Sequence, residues 1–490
     1  MGTIVRLFQH DGIFAHRARF FMLILVTLCL MFNWANILSF NFTVICMGPH
    51  GKGANISDIH EVPTVGYGIE LTPHQKSFAM AAVAIGALIA NFPIIILINK
   101  YGPRYLFAFV GLLGAGATAT IPVAMKMGYT YFLIARGLQG IAFAGDMATF
   151  GSFINTWTYY KQVALFTATL CVYVQIAPVF TNPISGLLCS SSFGWPAVYY
   201  VHAAVSTVLF LTFLAFYRNF PEQHPLVTDV ENEKIQRGQE KELAETQKHI
   251  PYMAILKSPQ VWAVFIGAIG NFAGINFVYQ FSPTYLNKVQ GYEILETGFV
   301  AALPPLLEAI CKEMAGVIND KITFINETVK TKVFNTISFV SFSAFIIALA
   351  YIPPGNGSMA LIILTAGTCF LGFNIGGFYK SGSLISGPYA PVVMGQVSNA
   401  ITIMILTVPL YVNPITIDNT PEQWRLAFFV TAAIMIACNI FYCIFASGEP
   451  CYWAKQELHE NIDNNKNLAF SPAKNAPTDK QLPVNANLNS

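Results

Sequence analysis

A few charged side chains stand inside long apolar runs, and a charge there is costly unless it is used or paired. Arg136 opens one such run. A guanidinium is planar, keeps its proton, and can pair both oxygens of a carboxylate or phosphate, so its chemistry is anion recognition. The alternative is an arginine that caps helix ends. Asp146 follows ten residues later, which on a helix is ~15 Å along the axis and about 80° round it. It cannot pair with Arg136, and a buried carboxyl of this kind can carry a proton or meet a cation. Its bland reading is an acid hydrogen-bonded to a neighbouring helix. Glu308 is a second ion-coupling candidate, but Lys312 lies four residues on and Glu313 beside it. That spacing predicts an intramembrane ion pair on one helix face, with Lys312 and Glu313 near enough to one end to snorkel. Lys380, within Asn374-Ile-Gly376-Gly377-Phe378-Tyr379-Lys380-Ser381-Gly382, is either a second anion contact or a lysine reaching the bilayer surface.

The elements that must position these groups are membrane helices. Of the 490 residues 54% are hydrophobic and only 11% charged, well below the roughly 25% charge of a soluble domain. A spanning helix needs about 20 apolar residues. Runs of that kind cover 20–47, 77–98, 105–125, 131–155, 164–188, 197–217, 261–286, 296–318, 333–352, 359–383, 393–413 and 425–447. The first run is too long for a signal peptide, so it is expected to be retained. The chain thus divides into a cytosolic N-terminus (1–19), a six-helix bundle (20–217), a charged cytosolic linker (218–260), a second six-helix bundle (261–447) and a polar tail (448–490) with the composition of a disordered segment. With the N-terminus cytosolic, cytosolic segments hold 19 of the 27 lysines and arginines and outer loops hold 5, so the positive-inside rule places both termini in the cytosol. The sequons at Asn55 and Asn356 then lie outside as glycosylation candidates.

A net charge of +2 gives no basic field for nucleic acid. No P-loop, GxSxG or HExxH motif occurs, which offers neither an ATP-driven pump nor hydrolase chemistry. The nine cysteines form no CxxC pair. Most, Cys46 included, lie in apolar runs and read as small apolar fillers rather than a disulfide framework or a metal site. No cofactor, metal or obligate protein partner is expected beyond a coupling Na+ or H+.

Finer motifs narrow the class. Asn99-Lys100-Tyr101-Gly102-Pro103-Arg104 links the second and third runs, and Gly316-Val-Ile-Asn-Asp320-Lys321 ends the eighth. Both read as conformational clamps, tight glycine turns with polar groups at helix ends, the first opening on Asn99 and the second carrying an acid, Asp320. With them come Arg136-Gly-Leu-Gln139-Gly140, Asn182-Pro183-Ile-Ser-Gly186, Phe193-Gly194-Trp195-Pro196, Pro221-Glu-Gln-His224-Pro225, Pro283-Thr-Tyr285-Leu286 and Met394-Gly395-Gln-Val-Ser398-Asn399. From about residue 20 to 454 the chain resembles the anion–cation symporter branch of the major facilitator superfamily, which includes sodium–phosphate cotransporters, sialin and vesicular glutamate transporters. The resemblance implies the major facilitator fold, all-α with twelve spans, and alternating access about a midplane site. It also implies that Arg136 meets a substrate anion. The branch's other charges are replaced: its first-span arginine by Ile37 or Ser39, its second-span histidine by Met80, its fourth-span acid by Phe143 and its seventh-span arginine by Asn271. Ser381 and Leu384 stand in for an Asn and an acid ahead of Pro388-Tyr389. Arg136, Lys380, Asn36 and Asn271 are therefore the substrate-binding candidates. They suit a monoanion or phosphate better than a dicarboxylate. A carrier of a neutral solute, or a receptor-like relative that no longer transports, are the alternatives.

Overall fold

A computed structural model describes residues 17–48, 71–159, 162–235 and 251–455. Twelve helical elements of spanning length follow one another: α1 Ala18–Thr43, α2 Pro73–Tyr101, α3 Pro103–Met127, α4 Tyr129–Trp157, α5 (Val163–Cys171 and Tyr173–Ser190), α6 Gly194–Phe216, α7 Pro259–Lys288, α8 (Ile294–Val300 and Leu303–Lys321), α9 Glu327–Leu349, α10 (Gly357–Leu371 and Phe378–Ser386, joined by a 3-10 turn), α11 Ala390–Ile415 and α12 Pro421–Phe445. Eleven of them are long and apolar enough to cross a membrane by composition alone. The twelfth, α4, is 29 residues long and carries Arg136 and Asp146, which lower its apolar character.

Local chemistry sets the helix ends. Thr72 with Gln75, and Thr420 with Gln423, form capping boxes ahead of a proline in the first turn of α2 and α12, which satisfies the first free N–H groups. A single glycine joins α2 to α3: Gly102 adopts φ 79°, open to glycine at little cost.

Helices α1–α6 pack on one another, as do α7–α12, and the two groups meet where α2 faces α11 and α5 faces α8. At one end, the linker end, lie the start of α1, the Gly102 turn and residues 251–258. The opposite end carries a disulfide between Cys46, just past α1, and Cys189, near the end of α5, with Cα atoms 6.2 Å apart. This corrects the reading of Cys46 as an apolar filler: two helix exits 143 residues apart in sequence are neighbours in space.

The linker begins docked rather than free. Glu231 is buried and accepts hydrogen bonds from the N–H groups of Ala18 (3.3 Å) and Arg19 (3.2 Å), capping α1 from 213 residues away. His224 is buried against Trp157 and accepts from the Leu226 N–H at Nδ1. Burial, reinforced by nearby Arg218, pushes its pKa down to about 4. The tail also begins docked: Cys451 N–H donates to Ile385 O at 2.9 Å, and Trp453 packs against Tyr389. Asn55, residues 236–250 and the tail beyond 455 lie outside the described residues. Asn356 is exposed at the disulfide end.

Candidate functional site

The run Arg136-Gly137-Leu-Gln139-Gly140 works as one unit. A Cβ on Gly140 would collide with the Val83 carbonyl, and one on Gly86 with the Gly137 carbonyl. Small residues on both helices thus let the backbones of α2 and α4 touch. That approach lets Arg136 Nε donate to Ala79 O of α2 at 3.1 Å. Nη1 donates to Ile37 O of α1 at 3.2 Å and to Gln139 Oε1 at 2.7 Å. Gln139 in turn donates to Asn36 O (3.1 Å) and to Thr118 Oγ1 of α3 (2.7 Å). The Phe40 ring lies 4.8 Å from the guanidinium carbon, a cation–π distance. Arg136 is 1% exposed, yet among the described residues no carboxylate pairs with it. Its charge is met only by neutral carbonyls, an amide and a ring, and Nη2 makes no hydrogen bond there.

Asn36 joins the site through its carbonyl, while its side chain exchanges hydrogen bonds with Ser206 of α6. Phe143 lines a crevice between α2, α4 and α11 and packs against Trp34. The position where the branch has an acid is therefore apolar and faces the other half.

The remaining candidates do not gather round Arg136. Asn271 Oδ1 accepts from Asn374 Nδ2 at 2.5 Å inside the second half. Lys380 is drawn to the linker end, where its ammonium donates to Asn319 Oδ1 (2.6 Å) and pairs with Glu327 (3.1 Å). There it is bound to a protein carboxylate, away from Arg136. The predicted Glu308–Lys312 pair is not made. Glu308 is fully buried and accepts from Tyr279 Oη at 2.7 Å and from Gln175 Nε2 of α5 at 3.5 Å. Lys312 lies over the Tyr379 ring instead, and Glu313 is exposed. The phenol and amide already satisfy both carboxylate oxygens, so the helical spacing is overridden.

The first turn uses Gly102 and Arg104 as expected, but its other partner is not Asn99, and the second turn is fastened by residues outside the expected motif. Asn99 is exposed. Asn219, just past α6, does the work: its Oδ1 accepts from the Arg104 N–H (3.0 Å) and its Nδ2 donates to Tyr101 O (3.1 Å). The Arg104 guanidinium holds Leu214 O. In the second half α8 runs straight through Gly316, which faces open space, and Asp320 and Lys321 are exposed. The acid is Glu327, bound to Lys330 at 2.6 Å and to Lys380. Nothing near the expected motifs marked Asn219 or Glu327 as partners.

The halves are joined toward the disulfide end. Ser77 donates to Pro409 O at 2.9 Å and Asn182 to Ala301 O at 3.2 Å. There a Cβ on Gly298 would meet the Asn182 carbonyl oxygen at 2.7 Å. Two six-helix groups joined in this way have the architecture of a secondary transporter built from two halves.

Residues 20–409 match the family model described as Major Facilitator Superfamily, and the chain belongs to that family. It is 26% identical to human "Sialin" over 392 residues, 78% of each chain. It is 25% identical to human "Sodium-dependent phosphate transport protein 1" over 403 residues, covering 80% of this chain and 84% of that one. A "Putative inorganic phosphate cotransporter" of Drosophila melanogaster is likewise 25% identical over 394 residues, 79% of this chain and 74% of its own length. These relatives are of the branch that the motifs resemble. Among solved structures, a D-xylose–proton symporter superposes with a TM-score of 0.66 at 13% identity, over 88% of this chain and 99% of that chain. A bacterial homolog of the human lysosomal transporter Spinster gives 0.63 at 14% identity, over 87% and 96%. At those identities the likeness concerns the fold.

Proposed function

We propose that this chain is a secondary active transporter of a small anion, an organic monoanion or inorganic phosphate, with Arg136 as the group that meets the negative charge. The observation that carries the reading is the unpaired state of Arg136: a buried cation held by neutral acceptors, in a chain whose relatives are named for anions. A buried base without an acid costs several kcal/mol, and a substrate anion offsets that cost only while bound. One strong positive partner in place of the branch's several favours one negative group on the substrate over two.

The linker end is read as cytosolic. The Lys/Arg bias puts it there, and a disulfide at the other end suits an oxidising compartment. If so, Asn356 is glycosylated in a eukaryotic host, and Asn356→Gln shows a smaller glycosidase shift.

The test is uptake of labelled phosphate, urate, sialate, glutamate and lactate-like acids by surface-delivered protein, beside Arg136→Lys and Arg136→Ala. Saturable uptake of a monoanion or phosphate, lowered ~100-fold or more in Arg136→Ala, is expected from the loss of charge-assisted hydrogen bonds. Absence of uptake of any anion from folded protein overturns the reading in favour of a neutral solute or a receptor-like role.

A further inference from the structure

Asp146 in α4 is wholly buried. Asn33 Nδ2 of α1 donates to its Oδ1 at 2.6 Å. Among the described residues its Oδ2 has no partner, and neither have Asn33 Oδ1, Thr149 Oγ1 one turn further along α4, or Tyr173 Oη of α5. Tyr173 and Cys29 of α1 lie within electrostatic reach of the carboxyl. The other ionisable groups on adjoining helices are turned away or remote. On α6, His202 bonds Val198 O through Nδ1 and packs against Phe180. The ionisable side chains of α2 (His74, Lys76, Lys100, Tyr101) and α3 (Arg104, Tyr105, Lys126) stand near the helix ends. Arg136 is ~15 Å away along α4.

A lone carboxylate with one neutral donor is too costly in this setting to stay bare. Every unmet atom in the group is an oxygen, the ligand type of hard cations. One negative charge matches one positive charge, not two. We propose that Asp146, Asn33, Thr149 and Tyr173 form a binding site for a single small monovalent cation, a sodium ion or a proton.

The proposal rests on the transporter reading, for which it supplies the coupling ion. Asn33 and Asn36 are one turn apart on α1. The Asn36 carbonyl accepts from Gln139, whose Oε1 accepts from Arg136. A cation that fixes Asn33 therefore fixes the backbone that holds Arg136, so cation and anion binding reinforce each other.

The test uses the purified full-length protein without substrate, so its failure is separable from failure of the anion reading. Thermal midpoints are measured in sodium chloride against choline chloride, and at neutral against mildly acid pH, for the unsubstituted chain, Asp146→Asn, Asn33→Ala and Thr149→Val. A bound sodium ion raises the midpoint by about 2–4 °C at saturation. That rise vanishes in Asp146→Asn, and its half-saturating sodium concentration increases about tenfold in Thr149→Val. A bound proton gives a rise on acidification that is lost in Asp146→Asn, shifted in Asn33→Ala and unchanged in Thr149→Val. Equal responses of the unsubstituted chain and Asp146→Asn to both sodium and acid overturn the site. Should Asp146→Asn not fold, unchanged responses in both Asn33→Ala and Thr149→Val overturn it equally.

Discussion

Two basic sites, one in each half, are met in opposite ways. In the first, Arg136 lies deep in α4 among backbone carbonyls, with no acid beside it. In the second, Lys330 and Lys380 converge on Glu327 at the linker end. A base already bound to an acid holds helix ends in place. A base held only by neutral acceptors has attraction left for an anion. The linker-end turns show the same division: Asn219 ties the first with neutral hydrogen bonds, while Glu327 ties the second with charge. Position along the helix and choice of partner separate a recognition group from a fastening, where residue type alone does not.

The largest expected effect tests the recognition side. Arg136→Lys keeps the charge but loses the fork that reaches Ala79 and Ile37 together, so uptake falls ~100-fold although the protein still folds. Near-normal uptake would reduce Arg136 to a point charge. Next, Glu327→Gln leaves Lys330, whose side chain is 3% exposed, with only the Ile322 carbonyl and an amide. A stability loss of about 1–3 kcal/mol is expected, discounted because Glu327 is itself partly exposed. High salt should shrink the difference from the unsubstituted protein. Asn219→Ala costs about 1–2 kcal/mol by thermal unfolding, and salt should leave that cost unchanged; a salt dependence equal to that of Glu327→Gln would erase the contrast between the clamps. The smallest effect concerns the linker. Because the pKa of folded His224 lies below its unfolded value of about 6.5, its contribution is complete above that pH and is lost as pH falls toward about 4. Hydrogen-exchange protection over 221–228, corrected for the intrinsic pH dependence of exchange, should fall across that window, and His224→Gln should flatten the response.

The spans were legible because a helix in lipid must be apolar for its whole length. Their ends were not: α2 begins at Pro73, four residues before the apolar run, because Thr72 and Gln75 cap it. Arg136 announced itself through its burial cost, whereas the close packing that the glycines beside it permit appeared only in the structure. Its acceptors on Ala79 and Ile37 were hidden, since a backbone carbonyl carries no residue-type signal. The Glu308–Lys312 expectation failed because a local spacing rule says nothing of Tyr279, which reaches the acid from another helix. The Cys46–Cys189 bond had a signal that spacing along the chain obscured: both cysteines close spans that end on the same side of the bilayer.

The cap on α1 has a consequence for how the chain is made. The amides of Ala18 and Arg19 leave the ribosome more than two hundred residues before Glu231, which receives them. During synthesis α1 therefore enters the bilayer with an unfinished first turn. That turn is completed only when α2–α6 have been threaded and the linker emerges, so the first residues of the linker act as the closing stitch of the first half's assembly.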